Sequence, residues 1–432
     1  MMSGRRSSGR PWARKGMSRR ITRRDALRTM GLTAGVLAAG PALAGCGGGG
    51  QSGKVTLEFW NTFSEAEIVL LHELGREYEK QNPDIKINFF EIPFDQRETK
   101  IPTAVETNSL PDIVRADYPY QYFLAARDKV VYLEDFLEGW EMRDAIYDIA
   151  WNEVTVEGHI VGIPQDKFTD VFTYNLDKFD EDGVEKFPET WDELVEACQK
   201  MTHGDQYGIA WTGLDMFYPL LLQAGGEMLK PSGKAAFNSE AGVEALQFEV
   251  DLANEYRVTP EGIAGYEYAD ADNALKGGKV GMVPFGSWII ENYRTLGVKW
   301  KLGIGAMPAG PAGRGAISST TSYMVINDSD YQEEAVALLK WLVSRENALR
   351  WAKTLEHEPI DTFTAQNPYF DKPLFVPFQE SLDFATTQPP SAGFNAVLEE
   401  VTIAQQKALT GESTPEEALD EAAANVNEAL EG

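Results

Sequence analysis

Residues 54 to 91 read KVTLEFWNTFSEAEIVLLHELGREYEKQNPDIKINFFE, and the fold class turns on this stretch. Lys54 to Trp60 alternates polar and apolar side chains with period two, the pattern of a strand with one buried face. From Ser64 to Gln81 the period changes: Leu70, Leu71, Leu74 and Tyr78 recur at helical spacing. Asn82-Pro83-Asp84 stops the helix, and Ile85 to Glu91 reads as a second strand. Strand, helix and strand joined this tightly form a right-handed parallel crossover, so the expected class is α/β with helices on both faces of mostly parallel sheets.

The same alternation continues outward. A second helix is expected over Gln96 to Thr107, with Pro102 in its first turn or kinking it. Leu110-Pro111-Asp112-Ile113-Val114 is the next strand, followed by Gly162-Ile163-Pro164 and Phe172-Thr173-Tyr174-Asn175. Pro188-Glu189-Thr190-Trp191-Asp192-Glu193-Leu194 starts a helix whose Thr190 and Glu193 make a capping box. A chain of 432 residues, less its leader, exceeds what one core usually organises, so two domains are expected.

Upstream, residues 22 to 50 have the parts of an export label. Arg23-Arg24 precede an apolar run from Met30 to Leu43, too short for a stable spanning helix, and Leu43-Ala44-Gly45-Cys46 leads into Gly47 to Gly50. Gly45-Cys46 resembles a bacterial lipobox, which implies lipidation of Cys46 and cleavage before it. The twin arginines resemble a Tat signal, with Sec export as the alternative. Residues 1–45 are thus expected to be a signal peptide, with Met17 an alternative start, and 46–53 a lipidated flexible tether. The first 45 residues hold nine arginines, Lys15 and one acid, Asp25, so they carry +9 against a whole-chain charge of −28 and leave the rest near −37. So acidic a body disfavours nucleic acid and anionic membrane as partners; contact with the membrane is expected only through the lipid on Cys46. Cys198 has no second cysteine to pair with and reads as a small buried apolar residue on a helix. Four histidines and no Cys/His spacing leave no metal site expected, and no cofactor is expected either.

From Lys54 to the C-terminus the chain resembles the substrate-binding component of bacterial ABC sugar importers, the two-lobed group that includes maltose- and maltodextrin-binding proteins. The resemblance runs in order through Phe59-Trp60, Leu110 to Asp117, Gly162-Ile163-Pro164-Gln165, Tyr174-Asn175 with Pro188 to Leu194, Ala274 to Met282, Gly286-Ser287-Trp288 and Gly411 to Leu419. Thr173 and the Ser318 to Ser322 loop depart from it. It implies a periplasmic-binding-protein type II fold with interleaved domains. Lobe one is expected at 54–163 plus 305–343, lobe two at 167–303 plus 348–432, and the hinge near 163–167, 303–306 and 343–348. It also implies a monomer that closes on a small carbohydrate and delivers it to the permease subunits in the membrane.

A sugar presents C–H faces and a rim of hydroxyls, so its host needs flat aromatic side chains beside carboxylates and amides. The chain carries 10 Trp, 16 Tyr and 21 Phe, several at strand ends, where α/β sheets bind ligands. Trp60 with Asn61, Thr62 and Glu65 follows the first strand, and their polar company favours a site position over a core one. Asp117, Tyr118 and Tyr120 follow the Pro111 to Val114 strand. Gln165 and Asp166 stand where the chain crosses, with a hinge role and a ligand role both open. In the second lobe the candidates are Trp211, Asp215, Phe217 and Tyr218. The resemblance implies stacking platforms at Tyr218, at Trp288 beside Gly286 and Ser287, and at Phe394. It also brings in Ser319 and Thr320.

Other readings differ in what they need. A secreted glycoside hydrolase needs a pair of carboxylates, which 67 Asp and Glu supply by chance alone; the chain has no GxSxG, HExxH or Walker pattern. A binding protein for a glycerol phosphate would need a basic residue such as Arg97 or Arg115. An adhesin would show repeats, and none occur. The expected function is therefore capture of a disaccharide or short oligosaccharide without catalysis, at the outer face of the membrane.

Overall fold

The computed structural model describes residues 54–93, 96–295 and 297–431; the leader, Cys46 and the glycine tether lie outside them. The decisive stretch forms β1 (Val55–Asn61), α1 (Glu65–Gln81) and β2 (Ile85–Glu91). Leu57 and Phe59 are fully buried while Glu58 is exposed, as period two requires. The helix opens on a capping box in which the Ser64 N–H donates to Glu67 Oε2 at 2.6 Å. The two strands pair in parallel, from Val55 opposite Ile85 to Asn61 opposite Glu91.

In α2 (Arg97–Glu106) Pro102 lies in the helix interior. β3 (Ile113–Ala116) then joins β1 on its other side, also in parallel. After α3 (Tyr120–Ala125) and α4 (Asp148–Glu153), β4 (Ile163–Thr169) runs through Asp170 directly into β5 (Val171–Asn175). That passage carries the chain from a large sheet into a smaller one.

The smaller sheet is built with α5 (Trp191–Met201), β6 (Tyr207–Ile209), α6 (Leu214–Gln223), α7 (Tyr268–Lys276), β7 (Val280–Val283), α8 (Ile289–Thr295) and β8 (Leu302–Ala306). Its strand order is β8-β5-β7-β6. At the start of α5 Thr190 accepts the Glu193 N–H, but the Glu193 carboxylate takes the N–H of Glu189, one residue before the cap. Cys198 of α5 is fully buried and comes so close to β6 that a Cβ at Gly208 would lie 2.4 Å from its Cα; only glycine fits there.

The chain returns through β9 (Ala316–Val325), crosses again after α9 (Arg345–Leu355), touches β9 with β10 (Ala385–Thr386), and ends in α10 (Phe394–Thr410) and α11 (Pro415–Glu431). The large sheet has the order β10-β9-β3-β1-β2, with β4 also on β9. Parallel pairing holds for β1 with its neighbours and for β6 with β7. The strands at the crossings pair antiparallel, β9 with β3 and β4, and β5 with β7 and β8, because the chain enters each sheet against the direction in which it left.

Each sheet has its own core. One holds Phe59, Leu74, Ile163, Val325 and Trp351; the other holds Phe172, Cys198, Leu221, Met282, Val401 and Leu419. The fold is thus two-lobed α/β. The alanine-rich α11 packs Ala418, Leu419, Ala422 and Val426 into the second core. No helix among the described residues is long and apolar enough to cross a membrane.

Candidate functional site

The crossing strand β4 organises a buried polar network. Asp166 accepts from Trp351 Nε1 at 2.8 Å and shares a 2.5 Å contact with His357 Nδ1. Burial pulls the His357 pKa down, but the charge and hydrogen bond of Asp166 together with the Glu67 charge outweigh it, and the net shift is upward. One residue on, Lys167 Nζ meets Glu358 Oε2 at 2.5 Å, and Glu358 also accepts the Thr169 N–H at 2.6 Å and its hydroxyl at 2.8 Å. Both ends of this pair are fully buried. Gln165 accepts from Thr321 Oγ1 at 3.1 Å across the pairing with β9.

The start of α1 adds to this network. Arg115, at the end of β3, donates to Thr62 Oγ1 at 2.9 Å, stacks over Phe63 at 4.1 Å and lies 3.7 Å from Glu67 Oε1. Glu67, Asp166 and His357 are buried with ligand atoms within 4.8 Å of one another, a set with the donors to hold a cation. The Arg115 guanidinium already supplies positive charge at that point.

Against the network stands an aromatic wall from the second lobe. Phe168 meets His357 at 5.4 Å and Trp288 at 5.5 Å, both edge-on. Trp288 is partly exposed and donates Nε1–H to Tyr268 Oη at 3.0 Å. Its ring lies against Gly286, where a Cβ would come within 2.2 Å of it, so the glycine makes room for the indole. Tyr268 is 40 % exposed and stacks on Phe285 at 4.8 Å. Burial raises the Tyr268 pKa, and the charges of Asp272, Asp215 and Glu67 raise it further.

Asp170, between β4 and β5, and Asp215, on α6, form an acidic pair. Asp170 accepts the Ile317 N–H at 3.1 Å, and Asp215 accepts from Thr212 Oγ1 at 2.6 Å. Both are partly open to water yet crowded by protein. Burial pushes Asp215 up to about 6, and it raises Asp170 as well, which the neighbouring Asp215 charge lifts further. Tyr218 feels Asp170 and Glu153. Glu153 is buried and pushed up to about 8, opposed by Thr320, the Gln388 backbone and Lys167.

Several buried polar atoms here have no hydrogen-bond partner, among them Glu67 Oε1, Arg115 Nε, Ser287 Oγ and Ser318 Oγ. An atom of this kind costs about 1–3 kcal/mol when left unsatisfied.

The sequence-derived candidates separate into groups. Thr62, Gln165, Asp166, Asp215 and Trp288, with Gly286 beneath the indole and Ser287 beside it, belong to the groups just described, whereas Tyr218 is buried in the second lobe's apolar core. Trp60 faces Phe90 at 6.2 Å under Lys100, and Asp117 pairs with Arg97 at 3.6 Å, so both gather at α2. Asn61 is buried and its Oδ1 accepts the Phe63 N–H at 3.4 Å, while Glu65 is exposed on α1. Tyr120, Trp211, Phe217 and Phe394 lie in apolar cores. Tyr118 reaches across to the segment before α10, whose Gln388 donates to Ser319 Oγ at 3.2 Å; Thr320 sits by Glu153. Glu67, Phe168, Tyr268 and His357 are not among those candidates. The signal for Glu67 is its place in the capping box, and for Phe168 its neighbours Gln165 and Asp166. A surface groove of about 510 Å³ lies elsewhere, at the outer edge of β2 beside His72 and Phe90.

Comparison with known proteins identifies the family and the fold. Residues 64–349 match the family model described as bacterial extracellular solute-binding protein. The chain is 26 % identical over 342 residues to an uncharacterized lipoprotein of Streptomyces antibioticus, covering 72 % of each. Among solved structures, an ABC transporter solute-binding protein from Thermotoga lettingae bound with α-D-tagatose is 27 % identical with a TM-score of 0.81, covering 87 % of this chain and 100 % of that one. The maltose-bound MalE3 of T. maritima is 25 % identical with a TM-score of 0.79, covering 87 % and 100 %.

Proposed function

The chain belongs to the bacterial extracellular solute-binding protein family, a family of substrate-binding proteins, and from that premise we propose that it captures a carbohydrate in the interlobe hollow and delivers it to an ABC permease. The observation that carries this reading is a partly exposed Trp288–Tyr268 face together with buried polar atoms that lack a hydrogen-bond partner. Stacking supplies affinity and the polar atoms fix orientation. A micromolar ligand needs about −8 kcal/mol, within reach of one or two stacked rings and several charge-assisted hydrogen bonds. The tagatose and maltose bound to the two structural relatives support a sugar of one or two units.

Closure follows from geometry. A ligand touching Glu67 and Thr62 on one side and Trp288 and Asp215 on the other binds the closed form better, and that difference shifts the equilibrium. The permease then reads the closed shape. Arg115 and Arg97 face Glu67 and Asp117, which argues against a phosphate-bearing ligand. The lipobox supports a lipid anchor on Cys46 after export by Tat or Sec, and the lipoprotein relative agrees with it. The protein acts as a monomer and leaves the sugar unaltered. Incubation with oligosaccharides followed by an assay for new reducing ends tests that last point; sustained hydrolysis refutes it.

A further inference from the structure

Glu356, His357 and Glu358 follow α9 as three successive ionisable residues, and each is no more than 2 % exposed. Glu356 adopts a left-handed backbone, φ 57°, which turns the chain off the end of the helix. The three side chains have separate partners. His357 and Glu358 fasten to Asp166 and Lys167 of β4, the strand by which the chain passes between the two sheets. Glu356 instead reaches α8, where its carboxylate accepts from the Arg294 guanidinium. It also accepts the Tyr369 hydroxyl at 2.7 Å and lies 3.9 Å from Lys372 Nζ. A buried carboxylate needs donors of this kind, and loss of a cation leaves its charge uncompensated.

Arg294 lies at the far end of the helix that starts beside Trp288, since α8 runs from Ile289 to Thr295. Ile289, Ile290 and Tyr293 bury the inner face of that helix. Apolar burial is non-directional, so it holds the helix down without fixing its rotation, whereas a charge-assisted hydrogen bond at one end is directional. Trp288 also meets Phe168 of β4 at 5.5 Å, and Phe168 in turn meets His357 at 5.4 Å. The 356–358 segment therefore reaches the indole by two routes, one through Arg294 and α8 and one through His357 and Phe168. We propose that Glu356 is a positioning residue for the Trp288 face: by clamping Arg294 it fixes the rotation of α8, and with it the angle at which the indole is presented. That a sugar feels this angle rests on the carbohydrate reading above.

The test joins fluorine NMR of the detergent-solubilised full chain, labelled with fluorotryptophan, to calorimetric titration with maltose, mannobiose and D-tagatose. The Trp288 and Trp140 resonances are assigned by their absence in Trp288→Phe and Trp140→Phe. Arg294→Gln and Glu356→Gln are expected to shift or broaden the Trp288 resonance and to leave that of Trp140, packed against the large-sheet core, unchanged. For each sugar that binds the wild type, either variant should weaken binding about fivefold or more, and the same change in a Trp288→Ala background less than about twofold. A Trp288 resonance unmoved in Arg294→Gln overturns the proposal, as does a loss of affinity that persists undiminished without Trp288. The Arg294 side chain is 58 % exposed, so Arg294→Gln decides if Glu356→Gln does not fold. If none of the three sugars binds the wild type, the carbohydrate reading fails for them, while the Trp288 resonance still decides whether Glu356 positions the indole.

Discussion

Replacing Glu153 by Gln tests the electrostatics of the buried acid at the end of α4. In the folded chain burial holds this carboxyl near 8, against 4.5 for the ordinary group. The folded state therefore favours the protonated form. Its contribution is intact at pH values below about 4.5 and is lost as the pH rises through the folded value near 8. At about 1.4 kcal/mol per unit, the wild type should lose up to about 5 kcal/mol across that window through this one residue. A glutamine side chain has no proton to lose, and its amide would face the hydroxyl of Thr320 and the Gln388 segment. The stability of Glu153→Gln relative to wild type should thus climb from pH 5 to pH 8 and level off above it. Urea titrations followed by tryptophan fluorescence at half-unit pH steps measure this directly. A difference between the two proteins that stays flat from pH 5 to 9 would refute the burial argument.

Other outcomes follow from the same geometry. Trp288→Ala should weaken sugar binding by about tenfold or more, the worth of one stacked ring with its hydrogen bond, whereas Trp60→Ala, by α2, should change it less than threefold; both are read by titration calorimetry. Lys167→Met leaves Glu358 buried without its cation and should cost about 3–5 kcal/mol, while the Lys167→Met, Glu358→Leu double variant should recover most of that in denaturant melts. Cys46→Ser should move the protein from the membrane fraction to the soluble fraction of cells that express it, and fractionation by immunoblot checks this.

The fold was legible because its elements are local. The period-two run at Lys54 to Trp60, the helical spacing of Leu70, Leu74 and Tyr78, and the stop at Asn82-Pro83 each need only neighbouring residues. The crossings were less so: β8 pairs wholly with β5, placing Leu302–Ala306 in the small sheet, a matter of partners 127 residues apart at Leu302 and Asn175. Trp288, Asp166 and Thr62 stood out in the sequence because they follow strands or turns in polar company, and the structure places each beside other polar or aromatic groups. Trp211, Phe217 and Phe394 show the limit of that rule, since an aromatic side chain has the same sequence signature whether it faces a ligand or fills a core. His357 was hidden because its meaning comes from Asp166, 191 residues away, and because it follows a helix that ends at Glu356 in the left-handed region with no motif to mark it.

The most direct test of carbohydrate capture is titration of the protein with a panel of mono- and disaccharides, with the recovered ligand analysed afterwards. Saturable one-to-one binding in the micromolar range by at least one neutral sugar, recovered intact, is the expected result. No binding across the panel, or a sugar recovered cleaved, would contradict it.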